Sequence, residues 1–198
     1  NPDTILKKNC ESELLKSINS KKNNFSIIAP IAKEKNFGFF DENKNINGKG
    51  FFEVDYVKGF AMLIDKKKIK KVGLFDENFF LYLEEIDLCK RLLFSNEKIY
   101  GNNYAKIIHL GAKSSDLGFE YEKCKSWHWM WSKFYYNKKH KGYIISLMKT
   151  FPTFLFSFLK YFFYNLFGNY KKKEIYKMRF SGLLNSYLLR KSFYRPKI

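Results

Sequence analysis

The stretch FFLYLEEIDLCKRL (residues 79–92) sets three carboxylates, Glu84, Glu85 and Asp87, directly behind a run of aromatic and apolar residues. Carboxylates repel one another and resist burial, so three of them at the edge of an apolar block need a reason. One reading is a polar helix face that begins there. The other is an acid cluster held for a base, a hydroxyl or a metal.

The same stretch predicts a helix from about Tyr82 to Phe94, with one apolar side formed by Ile86, Cys89 and Leu93. Glu84, Asp87 and Arg91 stack on another face at spacings of three and four, and Glu85 projects away from Glu84 by roughly a quarter-turn. Asp87 and Arg91 are four residues apart, which favours an ion pair. The spacing therefore separates Glu85 from Asp87, and at most one of them can reach a given substrate atom.

The pattern of apolar residues predicts strands both before and after this helix. The segments read as extended are FSIIAP (25–30), EVDYVKGFAMLI (53–64), EKIY (97–100) and YAKIIHL (104–110). Gly59 inside the second segment indicates a close backbone approach rather than a packed side chain. A first helix, capped by Asp3 or Thr4, is expected where Leu6, Cys10, Leu14 and Ile18 recur every four residues. The order predicts an α/β domain over residues 1–118.

The basic residues are unevenly distributed along the chain. Residues 1–118 carry 20 basic and 16 acidic side chains, net +4, whereas residues 119–198 carry 17 and 3, net +14. This predicts that the C-terminal segment meets an anionic surface. The abundance of Lys, Asn, Phe, Ile and Tyr also fits an AT-rich genome, to which part of the charge is attributable.

The three cysteines and the first residues of the chain indicate its cellular compartment and its completeness. Cys10, Cys89 and Cys124 are odd in number and widely spaced, which indicates a reducing compartment rather than a disulfide framework or a zinc knuckle. The chain opens on Asn1-Pro2-Asp3 rather than Met, so we expect a piece of a longer protein. The cysteine pattern predicts a cytoplasmic location.

The C-terminal segment, residues 119–198, is expected to be a helical, basic and aromatic extension. Within it, residues 144–168 are rich in Phe and Leu but are interrupted by Lys149, Pro152 and Lys160. On a helix, Thr153, Ser157, Lys160 and Tyr164 would line a narrow polar stripe. This favours a helix lying in a membrane interface, at the inner face of the plasma membrane, with lysines meeting anionic headgroups. Packing against its own domain is the alternative, and a true span ranks third.

The order of motifs resembles that of the family 2 glycosyltransferases, in particular the rhamnosyltransferase-like branch. The motifs that carry the resemblance are Gly59, the turn Gly73–Glu77, the aromatic segment Phe79–Tyr82, the acidic helix start Glu84–Leu88, His109 and the opening Asn1–Thr4. The resemblance implies the acceptor-side, C-terminal half of a GT-A (nucleotide-diphospho-sugar transferase) domain with a mixed sheet. It also implies that the N-terminal nucleotide-binding half is missing from this chain.

The resemblance implies a metal site and a set of substrate contacts. Asp3 and His109 would hold Mg²⁺ or Mn²⁺, which neutralises the diphosphate of the leaving nucleotide. The residues that it assigns to the substrate-binding side are Gly59, Asp76, Glu77, Glu84 and Arg91. Taken alone, Asp3 is more often a helix cap and His109 a core histidine, while Asp76 and Glu77 also suit a turn.

The family's catalytic base falls on Glu85, where Asp is usual. One extra methylene moves the carboxylate, so Asp87 is its rival for the role. The acceptor hydroxyl must lose a proton as it attacks the anomeric carbon, which calls for a nearby carboxylate. The aromatic segment before the acids would form a floor on which an acceptor sugar stacks.

The resemblance therefore predicts an inverting hexosyltransferase. It would move a sugar such as rhamnose from a nucleotide-diphospho-sugar to a glycan or lipid-linked acceptor during synthesis of bacterial cell-surface polysaccharide. Three alternatives stay open: a relative that has lost activity, a membrane-surface module and a nucleic-acid binder. The last is disfavoured because the aromatic residues concentrate in apolar runs rather than alternating with basic ones.

Overall fold

The computed structural model describes residues 4–20, 25–32, 50–110 and 118–196. Its contacts divide the chain into two compact units. The first comprises Asn1–Asp76 with Glu85–Asp116, and the second comprises Glu77–Glu84 with Leu117–Ile198. The short segment 77–84 thus groups with the C-terminal helices rather than with the sheet that precedes it.

The first unit is a mixed α/β structure built on a mixed sheet. Its strands are β1 (Thr4–Leu6), β2 (Ile27–Ala32), β3 (Phe51–Glu53), β4 (Leu63–Ile64) and β5 (Ile99–His109). On one side β5 pairs with β2 in parallel, and β2 pairs with β4 antiparallel. On its other side β5 pairs antiparallel with β3 near its start and with β1 near its end. The long strand β5 therefore organises the sheet.

Three helices accompany this sheet: α1 (Cys10–Ser20), α2 (Lys66–Val72) and α3 (Glu84–Phe94). From α3, Leu88, Cys89 and Leu92 enter a core with residues of β2 and β5. Burial of these apolar side chains supplies the main driving force for the unit. The helix begins two residues later than its periodicity predicts because Tyr82 and Leu83 have φ of +68° and +72°, which a right-handed helix excludes.

Three of the predicted strands differ from the structure. Segment 53–64 is not one strand, because β3 ends at Glu53 and β4 covers only Leu63–Ile64, while Val54, Val57 and Phe60 between them pack into the core. Segments 97–100 and 104–110, by contrast, join within the single strand β5.

The strand β5 runs through the Gly-Asn-Asn sequence, which resembles a turn, and there the side chain of Asn102 is buried and hydrogen-bonded. Its Nδ2 donates to Ser17 Oγ at 2.9 Å, and its Oδ1 accepts from the backbone N–H of Tyr104 at 2.8 Å. A shift of register between Pro30 and Ile31 of β2 accommodates the irregularity.

The predicted helix start at the N-terminus is also wrong. Thr4 lies in β1, where it pairs with His109, and Leu6 ends that strand. The helix α1 begins at Cys10, after Asn9 adopts a φ of +67°. Asp3, the other predicted cap, lies outside the described residues.

The second unit is helical, as predicted for the C-terminal extension. It contains α4 (Gly118–Lys141), α5 (Tyr143–Leu166) and α6 (Tyr170–Tyr187), which pack against one another. Helices α4 and α6 approach closely at Gly182, where an added Cβ would lie 2.3 Å from the carbonyl oxygen of Trp127. Among the described helices, α5 included, there is none that is both long and apolar enough to cross a bilayer.

Candidate functional site

Glu85 lies against Gly59, and both belong to the first unit. A Cβ placed on Gly59 would sit 3.5 Å from Cβ of Glu85 and 3.9 Å from its carboxyl carbon. Gly59 therefore faces the Glu85 side chain across a space that would hold one methyl group, so the close backbone approach expected from the sequence stays a prediction. The Glu85 Oε2 atom is buried and makes no hydrogen bond within the described part of the chain.

His109 lies at the end of β5 and is buried. Its imidazole stacks on the ring of Phe60, with centroids 4.3 Å apart and planes 13° from parallel. Across the sheet it is paired with Thr4 of β1, the residue that follows Asp3 in the sequence. Asp3 itself, the other predicted metal ligand, lies outside the described residues.

Gly59 and Phe60 therefore connect two side chains that are 24 positions apart in sequence. Gly59 faces Glu85, and its neighbour Phe60 stacks on His109. The structure brings Glu85 and His109 to adjacent residues of one segment. Sequence reasoning missed Phe60 because one more apolar residue in a strand-like segment carries no sign of a specific partner.

Asp87 is fully buried and is engaged with Arg91. Its Oδ2 accepts from Arg91 Nε at 2.8 Å, which confirms the ion pair expected from their spacing. The remaining guanidinium nitrogens donate to three backbone carbonyls, those of Val72 at 2.7 Å, Gly73 at 2.6 Å and Leu74 at 2.7 Å. Asp87 thereby orients Arg91, which binds the backbone carbonyls at the end of α2. This role is structural and involves no substrate.

The remaining predicted substrate residues lie near the start of α3. Asp76 and Glu77 occupy the loop between α2 and α3, with Asp76 half-buried and Glu77 exposed. Glu84 is the first residue of α3 and is half-buried. The clustering of contacts assigns Asp76 to the first unit and Glu77 and Glu84 to the second.

Of the two side chains predicted to bind a divalent metal, the described residues include one, His109. Within the ranges that the structure describes, no three His, Cys, Asp or Glu side chains come together in a way that could share an ion. His109 is in place at the end of β5, but its predicted partner Asp3 is not among the described residues. The described residues alone do not make up a metal site.

The aromatic segment before the acids packs within the second unit. Phe79 is buried edge-on against Tyr135, so it offers no open face to a sugar, contrary to expectation. Phe80 keeps 43% of its surface exposed, but the guanidinium of Arg195 lies 3.6 Å from its ring centroid. The contact is a cation–π interaction, a second use for a ring that sequence reasoning assigned to a sugar.

The second unit also contains a cleft of about 540 Å³. The residues that line it are Tyr82, Glu122, Lys125, Ser126, Trp129, Ile175 and Arg179. Burial, together with smaller contributions from Tyr121, Cys124 and Glu84, raises the pKa of Tyr82 to about 12, so its hydroxyl stays a hydrogen-bond donor at neutral pH. None of the predicted site residues lines this cleft.

The described site thus consists of Glu85 and His109 beside Gly59 and Phe60, with the Asp87–Arg91 pair on the same helix as Glu85. Comparisons with protein-family models, with curated proteins and with solved structures found no match to this chain.

Proposed function

We propose that the chain is part of an inverting glycosyltransferase in which Glu85 is the base that deprotonates the acceptor hydroxyl. The observation that carries the proposal is the pairing of Glu85 and His109 with the adjacent residues Gly59 and Phe60. These are the side chains that the motif order assigns to base and metal ligand. Although distant in sequence, they meet on one short segment.

Glu85 is better suited to proton transfer than Asp87. A base needs a carboxylate oxygen with a lone pair available, and Glu85 Oε2 makes no hydrogen bond within the described residues. The Asp87 carboxylate is buried and bound to Arg91 Nε. In this proposal Asp87 is a positioning residue, and it acts through Arg91 on the carbonyls of residues 72–74.

The proposed reaction is a single displacement at the anomeric carbon. The acceptor oxygen attacks that carbon as its proton passes to the Glu85 carboxylate. The bond from the anomeric carbon to the phosphate oxygen breaks, and the nucleoside diphosphate leaves with the electron pair. Attack from the face opposite the leaving group inverts the configuration.

A divalent metal and the substrate contacts complete the proposal. Asp3 and His109 would hold Mg²⁺ or Mn²⁺, whose charge would stabilise the departing diphosphate. Gly59 and Asp76 of the first unit would line the acceptor side. The mixed sheet of the first unit would be the acceptor-side half of a GT-A domain.

The biological setting follows the same proposal. The donor would be a nucleotide-diphospho-sugar, with rhamnose as one candidate sugar. The acceptor would be a glycan or lipid-linked intermediate of bacterial cell-surface polysaccharide, and the enzyme would work in the cytoplasm. What supports this setting is the motif order together with the +14 charge of residues 119–198.

The test is kinetic and uses the full protein that contains this chain. Nucleoside diphosphate release is measured over a panel of nucleotide sugars with Mg²⁺ or Mn²⁺, for the wild type, Glu85→Gln and Asp87→Asn. We expect Glu85→Gln to lose turnover by about a hundredfold or more while donor binding is retained. Near-normal turnover in Glu85→Gln, with collapse in an Asp87→Asn protein that circular dichroism shows to be folded and that still binds donor, would transfer the role to Asp87. A wild type that releases no diphosphate with any donor would favour an inactive relative or a binding module.

A further inference from the structure

Helix α5 exposes its apolar side and buries its polar side. Ser146, Thr150 and Ser157 are buried, whereas most of the large apolar side chains of the helix are exposed. This is the reverse of the pattern in a surface helix of a globular domain, where the apolar stripe faces the core. The exposed apolar side of α5 therefore indicates a contact beyond the residues of its own unit.

Seven of the exposed apolar side chains form one continuous stripe, which we call the outer face. Its members are Ile144, Met148, Phe151, Leu155, Leu159, Phe162 and Leu166. They recur at spacings of three and four, so they lie on one side of the helix. Between 46% and 72% of each side chain is exposed. The outer face runs nearly the whole length of the helix, about 36 Å at 1.5 Å per residue.

The buried polar side chains of α5 are hydrogen-bonded within the helix, and Thr150 also contacts α6. Ser146 Oγ donates to the carbonyl of Gly142, and Ser157 Oγ donates to the carbonyl of Thr153, each at 2.7 Å. Thr150 Oγ1 donates to the carbonyl of Ser146 and lies 3.0 Å from the Tyr187 hydroxyl of α6. The contact of Thr150 with Tyr187 joins this side of α5 to α6, so a rotation that buried the stripe would break it. The outer face is therefore a feature of the folded unit.

An exposed apolar stripe of this size is unusual in a protein that stays in water. Large contiguous apolar patches on soluble proteins mark contacts with a protein, a membrane or a ligand. Here the stripe is convex and lies on a single helix, so it offers no pocket to a small molecule. Its occupant must be a broad apolar surface.

Charge decides between an anionic lipid surface and a second copy of the chain. Residues 119–198 carry a net charge of +14, and α5 contains no acidic residue. Two such surfaces would repel each other, and α5 lacks the flanking charges of opposite sign that align paired helices. Exposed lysines, Lys139, Lys141, Lys171 and Lys172, lie just beyond both ends of α5. Lysines at both ends of an apolar stripe suit a helix in the plane of an anionic bilayer.

We propose that the outer face of α5 inserts into the interface of an anionic lipid bilayer, with the helix lying parallel to the membrane plane. The apolar side chains enter the acyl boundary, and the flanking lysines reach lipid phosphates. The inference concerns the second unit and does not depend on the reaction proposed for the first.

Vesicle co-sedimentation of the 198-residue chain tests the proposal. The vesicles are phosphatidylcholine alone and a phosphatidylcholine–phosphatidylglycerol mixture. The test variant, Leu155→Glu/Phe162→Glu, places two charges on the outer face. The control, Leu15→Glu/Phe94→Glu, makes the same change of charge at two exposed apolar residues of the first unit. Circular dichroism verifies that each variant is folded.

We expect the wild type to bind the anionic vesicles more tightly than the neutral ones. The outer-face variant should lose roughly tenfold or more of its partition coefficient per substitution, because each removes a large apolar side chain from the interface. The control should bind as the wild type does. Equal binding by the two variants, or no vesicle binding by the wild type, would overturn the proposal. Dimerisation of the wild type without lipid, abolished by Leu155→Glu/Phe162→Glu, would assign the outer face to a second copy instead.

Discussion

The ring of Phe60 stacks on the imidazole of His109, with centroids 4.3 Å apart and planes 13° from parallel. The stack fixes the orientation of the ring at the end of β5, so the nitrogen atoms of His109 have a defined direction. An imidazole that is to bind a metal must be held in this way, usually by a neighbouring group. Phe60 supplies that support by packing, whatever the imidazole binds.

Phe60→Leu should release the imidazole of His109. Ring protons that lie over the face of an aromatic ring are shielded, so the His109 carbon-bound protons should resonate upfield in the wild type and move downfield in the variant. Proton NMR measures this directly, since the chain has three histidines. His128 and His140, which contact other rings, serve as internal controls. Unchanged His109 resonances would contradict the stack.

Asp87→Asn should destabilise the first unit far more than Glu85→Gln. The Asp87 carboxylate is buried with Arg91, and loss of one partner from such a pair costs about 3 kcal/mol. Glu85→Gln should change the free energy of unfolding by less than about 1 kcal/mol, because no hydrogen bond of Oε2 is lost. Urea unfolding, monitored by the His109 resonance of the folded state, measures the free energy of unfolding of both variants. Equal destabilisation by the two variants would argue against the division of roles.

Arg91→Met tests whether Asp87 acts through its arginine. If Asp87→Asn is destabilising because it breaks the ion pair with Arg91, the substitution should have little effect once the arginine is gone. Asp87→Asn in an Arg91→Met background should then add little to the loss of unfolding free energy caused by Arg91→Met alone. Full additivity of the two substitutions would indicate that Asp87 stabilises the unit through other contacts.

The sequence predicts the helix α3 and the strand β2 well because their apolar patterns are strong. Apolar residues at spacings of three and four mark α3, and Ile27 and Ile28 mark the buried strand β2. The segment 53–64 is mistaken for a strand because it is dense in apolar residues that pack into the core although most of them lie outside any strand. Strand β5 is divided wrongly because a buried asparagine, Asn102, is indistinguishable in sequence from one in a turn.

The candidate site is less predictable than the fold, for a physical reason. The Asp87–Arg91 pair is local and follows from helix geometry. The approach of Gly59 to Glu85 and the contact of Phe60 with His109 depend on how an irregular segment crosses the sheet. Likewise, the polar stripe of α5 is visible in the sequence, but whether it faces inward or outward depends on the packing of α4 and α6.

Gly182→Ala should disrupt the second unit. The new Cβ would lie 2.3 Å from the carbonyl oxygen of Trp127, so α4 and α6 would have to separate. Overpacking of this kind costs about 1–3 kcal/mol or more, whereas alanine is otherwise favoured over glycine in a helix. Tryptophan fluorescence during urea unfolding reports on this unit alone, because Trp127, Trp129 and Trp131 all lie in α4. Lys177→Ala, at an exposed position of α6, is the control, and equal stability of the two variants would contradict the close approach.

Glu97 should make the first unit sensitive to acid. Burial alone would raise the pKa of its carboxyl, but hydrogen bonds from Lys68 at 2.7 Å and Ser26 at 2.8 Å outweigh this effect and hold the pKa below its ordinary value of 4.5. A lowered pKa in the folded state means that the unfolded chain takes up the proton first as the pH falls. The contribution of Glu97 to stability is therefore complete above pH 4.5 and is lost as the pH drops through the lower folded value.

Glu97→Gln should remove that part of the pH dependence. Because glutamine keeps the shape but not the charge, the variant should be less stable than the wild type at neutral pH and should approach it in acid. Urea unfolding across this pH range, followed by the folded His109 resonance, compares the two proteins at each pH. Ser26→Ala, which removes one of the two hydrogen bonds to the carboxylate, should give an intermediate profile. Parallel profiles for Glu97→Gln and the wild type would show that another group controls the acid sensitivity.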